Sequence, residues 1–232
     1  MLGQVEGRLV DADGAPAPNL NVLCCTLGVC YAGGTDEDGR YFFDDLEPGP
    51  KKMQVVDTTD TFVDMIFYQD VPTPALHSPG ADVVLTRRTG APSAWPVQEG
   101  GQVVLAGGAL ELVAEPGSVK YPSGLAEEAL LAQQVPAALL PPYDQAPWSA
   151  APDRTTAFLL DPLQISASSP VTLRVRADGE GPGARFTIWS ADSSLAVLQE
   201  VGGATVDAEG WLVSDEDAQI TELTALVLVP RE

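Results

Sequence analysis

The chain has 232 residues, 45% of them hydrophobic, and a formal charge of −21 from 33 acidic against 12 basic side chains. That charge repels the phosphates that dominate nucleic-acid affinity and the headgroups of anionic membranes, so both are poor partners. The length exceeds the roughly 100 residues of one β-sandwich, so two domains are expected, and no stretch approaches the roughly 18–20 apolar residues of a membrane span.

The 22 glycines and 20 prolines are spread as punctuation between short Val, Leu and Thr runs, which points to an all-β protein. The opening Met1-Leu-Gly-Gln-Val begins a strand and has neither a basic n-region nor an apolar h-region. Either the protein is cytoplasmic or a leader has been removed. Strands are expected over residues 3–10, 20–25, 29–33, 41–45, 51–57, 65–71 and 82–86, enough for one sandwich.

Cys24, Cys25 and Cys30 crowd at the end of one strand and the start of the next. Cys25 and Cys30 bracket the four-residue loop Thr-Leu-Gly-Val and can face each other across a hairpin, which favours a Cys25–Cys30 disulfide. A Cys24–Cys30 bridge is disfavoured because Cys24 shares a strand face with Val22 and reads as a small buried apolar residue. Three cysteines with one distant histidine offer no zinc-ligand spacing. A disulfide belongs to an oxidising compartment, so an extracellular, cell-surface or periplasmic location is expected over the cytosol.

Residues 33–49, Gly-Gly-Thr-Asp-Glu-Asp-Gly-Arg-Tyr-Phe-Phe-Asp-Asp-Leu-Glu-Pro-Gly, join a tight turn to an alternating strand. Asp38-Gly39 supplies the positive φ a hairpin needs, and Tyr41 and Phe43 fall on one strand face. A second Asp-Gly turn lies within residues 7–22, at Asp13-Gly14. Together these stretches, and the Thr-Asp-x-x-Gly-x-Tyr-x-Phe core from Thr35 to Phe43, resemble the carboxypeptidase regulatory-like family over roughly residues 3–87. The resemblance implies a seven-stranded, transthyretin-like Greek-key domain, over residues 1–88, appended to surface or secreted proteins without catalytic residues of its own.

From Thr86 to Val97 Gly, Pro and small polar residues show no alternation, so residues 89–97 read as a linker with the boundary near Gly90. Beyond it, residues 100–117 read as two strands about the Ala106-Gly107-Gly108 turn. Residues 125–135 are the one segment that local propensity reads as helix. A Pro-rich loop at 140–153 carries Tyr143 and Trp148. Further strands follow around 158–175, 186–190, 196–201, 210–213 and 222–229. The runs Leu-Glu-Leu-Val-Ala-Glu-Pro-Gly and Ser-Ser-Pro-Val-Thr-Leu-Arg-Val resemble a bacterial ZU5-like β-sandwich over about residues 98–230, although the Pro-Ala-Gly-Ala-Leu and His-Phe-Ser signatures of that family are missing. This resemblance implies a second sandwich, over residues 98–232, used for protein contact, and it makes residues 125–135 a strand with Ala129, Leu131 and Gln133 on one face, the reading favoured here over the helix.

Catalysis finds little support. The only histidine, His77, sits in Pro-Thr-Pro-Ala-Leu-His-Ser-Pro-Gly, read as a surface loop, and no Gly-x-Ser-x-Gly elbow accompanies it. Among 33 carboxylates no pair is singled out for glycoside hydrolysis. Calcium is the one cation that Asp11 and Asp13, the group Asp36, Asp38, Asp44 and Asp45, or Asp215, Glu216 and Asp217 would suit, yet no cluster matches an EF-hand loop. Asp also favours turns, which accounts for the first two clusters without a metal. Sugar rings stack on exposed aromatics, for which Trp95, Tyr143 and Trp148 are the candidates; Trp95 and Trp148 could instead pack at the domain junction, and at least one of Trp189 and Trp211 should lie in a core. The expectation is two tandem β-sandwiches, transthyretin-like then ZU5-like, forming a non-enzymatic structural or adhesive module. Its partner would be a protein or a surface glycan, with a carbohydrate-binding module or a calcium-stabilised adhesin as the alternatives.

Overall fold

Strict alternation along residues 3–10 and 40–46 produces an antiparallel pair in the computed structural model. The model describes residues 2–231 apart from Leu27, Thr73, Pro74, Pro79, Gly124, Ala126 and Glu127. Strand β1 (Gly3–Val10) lies against Arg40–Leu46 in the register Val5 to Phe43, Gly7 to Tyr41 and Arg8 to Arg40. The register places Tyr41 and Phe43 inward, as the alternation predicts, at 2% and 6% exposure. Gly7 is required here, because a Cβ would collide with the Tyr41 ring and hydroxyl.

The chain divides into two compact units, residues 1–88 with 138–146 and 192–198, and the remainder. In the first unit β1 is followed by β2 (Asn21–Cys25), β3 (Cys30–Gly34), β4 (Arg40–Leu46), β5 (Gly49–Val56), β6 (Met65–Val71), β7 (Leu76–His77) and β8 (Val83–Val84). One sheet runs β4-β1-β7, with β8 also paired to β1, and the other runs β3-β2-β5-β6. Val5, Leu9, Tyr41, Phe43 and Leu46 from the first meet Val22, Cys24, Met53, Val55, Met65 and Phe67 from the second in one core. Each large apolar side chain so buried stabilises by about 1.5–3 kcal/mol. His77 is not a loop residue: it pairs in parallel with Val5, because the short β7 completes the edge of the first sheet.

The second unit contains β9 (Ser93–Ala94), β10 (Gly101–Leu105), β11 (Leu110–Ala114), β12 (Val119–Lys120), β13 (Ala129–Val135), β14 (Thr156–Asp161), β15 (Ile165–Ala167), β16 (Thr172–Arg176) and β17 (Arg185–Ala191). Then come β18 (Leu198–Val206), β19 (Trp211–Ser214), β20 (Glu222–Leu223) and β21 (Ala225–Pro230). Ten of them form a sheet in the order β10-β11-β16-β19-β18-β17-β21-β14-β13-β9, and β12-β15-β20 form a smaller one. The large sheet curls until its ends meet: Ser93 Oγ donates to the Val104 carbonyl at 3.2 Å, and Trp95 Nε1 to the Gly101 carbonyl at 3.2 Å. Leu110, Leu112, Phe158, Leu160, Ile188, Leu226 and Leu228 fill the enclosed core.

One segment reading holds and one changes. Residues 129–135 are a strand against their helical composition, since β13 gains five paired positions with β14, from Leu131 opposite Asp161 to Val135 opposite Ala157. The earlier part of that segment includes Ala126 and Glu127, which lie outside the described residues. Residues 89–97 are not a bare linker: Ala94 pairs with Ala129, the Thr89 N–H and hydroxyl both donate to Gln133 Oε1, and Trp95 is 2% exposed.

Candidate functional site

The outer face of the first sheet carries what its inner face excludes. With Tyr41 and Phe43 inward, the pleat turns Arg40, Phe42 and Asp44 outward, and on β1 it turns Glu6 and Arg8 outward beside them. Phe42 stands opposite Glu6 and is 52% exposed, while Arg8 and Arg40 stand opposite each other. Arg8 is pinned by two contacts, Nε donating to the Asp38 carbonyl at 3.0 Å and Nη1 to Asp82 Oδ2 at 2.9 Å. Asp36 Oδ1 accepts the Asp38 N–H at 3.0 Å and the Arg40 N–H at 2.8 Å, shaping the turn beside them. Glu6, Arg8, Asp36, Arg40, Phe42 and Asp82 border a depression of about 560 Å³. None of the six except Asp36 is singled out by motif. Strand alternation alone would have found Phe42, by placing it on the face opposite Tyr41 and Phe43.

The second feature is an edge. β3 ends the sheet β3-β2-β5-β6, all five of its residues are exposed, and Cys30-Tyr-Ala-Gly-Gly34 contains neither charge nor proline. Two other edges are defended. β4 carries Arg40, Asp44 and Asp45, and β6 is covered by the Pro-rich loop, with the Tyr68 N–H donating to the Pro142 carbonyl at 2.7 Å. The Cys25–Cys30 disulfide ties β3 to β2 at directly opposed positions, and Cys24 is a buried free thiol. Burial pushes the Cys24 thiol up to about 11, against a smaller opposing pull from Lys51. Thr26 N–H donates to the Val29 carbonyl at the hairpin end. Alternation from there leaves the backbone groups of Cys30, Ala32 and Gly34 facing away from β2.

The acidic clusters are turn architecture. Asp11 Oδ1 accepts the N–H groups of Asp13 and Ala15, Asp36 Oδ1 those of Asp38 and Arg40, and Asp207 Oδ1 those of Glu209 and Trp211. In each case the first Asp binds the second and fourth residues after it, and the third is a glycine at φ 79°, 73° or 81°. For the calcium reading of Asp11, Asp13, Asp36, Asp38 and Asp44, the structure brings together no assembled set of ligands among the described residues. Asp11 and Asp36 spend an oxygen on the backbone, Asp11 Oδ2 also takes Arg87 at 2.8 Å, and no three acidic, His or Cys side chains converge among the described residues. The Arg87 hydrogen bond, with help from the Ala15 N–H, holds the Asp11 carboxyl below its ordinary value.

The aromatic candidates separate. Trp95 is a core residue, not a platform, because its indole closes the curled sheet. Tyr143 belongs to the first unit and Trp148, in the 3-10 turn Pro147–Ala150, to the second, and both are half-buried. Burial raises the Tyr143 phenol. Trp211 is buried at 7% exposure, and the Arg176 and Arg174 guanidiniums cover its ring at 3.8 and 4.7 Å from the centroid. That ladder was missed in the sequence, although Arg174 and Arg176 alternate on one strand.

The chain matches no protein-family model and no curated protein. Among solved structures it is similar to the streptococcal ancillary pilin, at 11% identity and TM-score 0.30, covering 100% of this chain and 54% of that one, so it spans about half of that pilin. It is also similar to the major pilin SpaD from Corynebacterium diphtheriae, at 12% identity and TM-score 0.33, covering 100% and 87%. A DUF3823 family protein from Parabacteroides merdae follows at 9% identity and TM-score 0.30, covering 100% and 98%. At such values these likenesses establish no family.

Proposed function

We propose that the chain is a non-catalytic module of an extracellular or cell-surface protein that holds a protein partner by adding the partner's strand to the open edge of β3. The first unit is read as a carboxypeptidase regulatory-like sandwich and the second as ZU5-like, with the partition falling near residues 88–98. The observation that carries the reading is the uncharged, proline-free β3, an edge strand exposed along all five residues, in a unit where β4 carries charges and β6 is covered. Strand addition takes its affinity from backbone hydrogen bonds and its selectivity from alternate side chains, here Tyr31 and its neighbours. The disulfide supports the same role, because it holds the edge in extended form before a partner arrives and lowers the ordering cost of binding.

Ala32→Pro tests the reading. The Ala32 N–H faces away from β2, so proline there leaves the native ladder intact and removes one donor from the edge. Extended peptides selected from a display library should bind the wild-type protein with amide shifts confined to β3, and Ala32→Pro should abolish binding without lowering the unfolding midpoint. Selected peptides that bind equally to Ala32→Pro would sink the proposal.

A further inference from the structure

We propose that the depression on the outer face of β1 and β4 is a subsite for one pyranose residue of a neutral glycan, with Phe42 as its platform. A single exposed apolar residue needs no explanation by itself. What singles out Phe42 is the rim around it. Arg8 and Arg40 stand directly opposite each other across the strand pair, an arrangement that costs the sheet stability. Arg8 is tethered to Asp82, whereas the Arg40 guanidinium has no ion-pair partner among the described residues. Glu6, Asp36 and Asp82 complete the border.

Guanidiniums only donate and ionised carboxylates only accept. A ligand that satisfies this mixed rim must carry groups that do both, and it must offer an apolar face to Phe42. A pyranose does so, with C–H bonds on its faces and hydroxyls around its edge. A carboxylate ligand would serve the two arginines but meet three carboxylates, in a chain of charge −21. An ammonium ligand would meet the reverse mismatch. A peptide also donates and accepts, but it pays to order its backbone over an open sheet face, whereas a sugar ring is rigid before it binds. The volume of about 560 Å³ lies within the usual span of small-ligand sites, roughly 300–1,000 Å³.

The experiment titrates hexasaccharides of glucose, mannose, galactose, xylose and N-acetylglucosamine, with hexagalacturonate as the charged counterpart, into the whole protein and its Phe42→Ala, Arg40→Ala and Ala32→Pro variants. Both depression residues are exposed on the outer face, so their unfolding midpoints should match wild type. The expected result is millimolar or tighter binding of at least one neutral sugar, insensitive to salt. Phe42→Ala should weaken it at least about tenfold, equal to about 1.4 kcal/mol, Arg40→Ala should also weaken it, and Ala32→Pro should leave it intact. The proposal is overturned if no neutral sugar binds, if binding survives Phe42→Ala, if only hexagalacturonate binds and salt removes it, or if Phe42→Ala instead removes binding of a peptide. Sugar binding retained in Ala32→Pro also keeps this site separable from the β3 edge, so either proposal can fail alone.

Discussion

Lys51 is the residue whose position a sequence reader would place wrongly. It is 2% exposed on the inner side of β5, diagonal to Cys24, and its ammonium donates to the Gly49 and Pro50 carbonyls at 3.0 and 3.4 Å. Desolvation lowers its pKa, opposed by weaker attraction from Cys24, Glu47 and Asp70. A lysine whose folded pKa lies below its unfolded value penalises folding at neutral pH, and the penalty fades as pH rises toward the unfolded value. Lys51→Met should therefore hold or raise the unfolding midpoint at pH 7, and its advantage over wild type should shrink in alkaline buffer; a midpoint well below wild type would show that the two carbonyl bonds outweigh desolvation. Asp57 has the opposite sign. Four hydrogen bonds from Thr59, Thr61 and Phe62 outweigh its burial and lower its pKa. Its contribution is present above the ordinary carboxylate pKa and lost as pH falls through the lowered folded one. Urea unfolding followed downward from about pH 5 should fall less steeply for Asp57→Asn than for wild type. Equal slopes would place the acid sensitivity elsewhere.

At the scale of elements, what was legible is what the alternation of single strands states. β1 and β6 occupy the residues expected of them, and the Asp38-Gly39 turn and inward Tyr41 and Phe43 follow from turn chemistry and period. What was not legible depends on partners distant in sequence. Trp95 sits in a Pro-rich segment whose local sequence leaves both stacking and packing open, and only the curl of the ten-stranded sheet fixes what it packs against. The depression was invisible because it needs Asp82 beside Arg8, a contact across 74 positions. The β2–β3 hairpin is a case where local reading sufficed: opposed cysteines five residues apart form the expected bridge. A loop this short removes little unfolded-chain entropy, so replacing Cys25 and Cys30 together by alanine should cost about 2 kcal/mol. Denaturant titration of the double variant measures that value, and a loss several times larger would mean that β3 itself detaches.

At the scale of the molecule, the sequential division into halves is incomplete in a way that has consequences for the first unit. That unit takes residues 138–146 and 192–198 from far along the chain. Within it, Pro142 accepts the Tyr68 N–H, Ser193 accepts Lys52 Nζ at 2.9 Å, and Asp144 Oδ1 accepts the Leu198 N–H at 2.8 Å, which ties the two added segments to each other. Burial lowers the Lys52 pKa against a smaller attraction from Asp192, so removing the Ser193 carbonyl would leave a poorly solvated ammonium. A fragment of residues 1–88 contains all eight strands of both sheets, yet it would lack the cover on β6. Its β6 would become a second open edge, flanked by Met65, Ile66 and Phe67, with each orphaned backbone group costing about 1–3 kcal/mol if it stays buried. The fragment should therefore unfold at a lower denaturant concentration than the same unit in the whole chain, and it should self-associate as concentration rises. Sedimentation of the fragment beside the full chain decides the matter. A monomeric fragment of undiminished stability would mean that the added segments only rest on the sandwich. An associating fragment restored by Tyr68→Pro, which removes the edge donor, would identify β6 as the surface they protect.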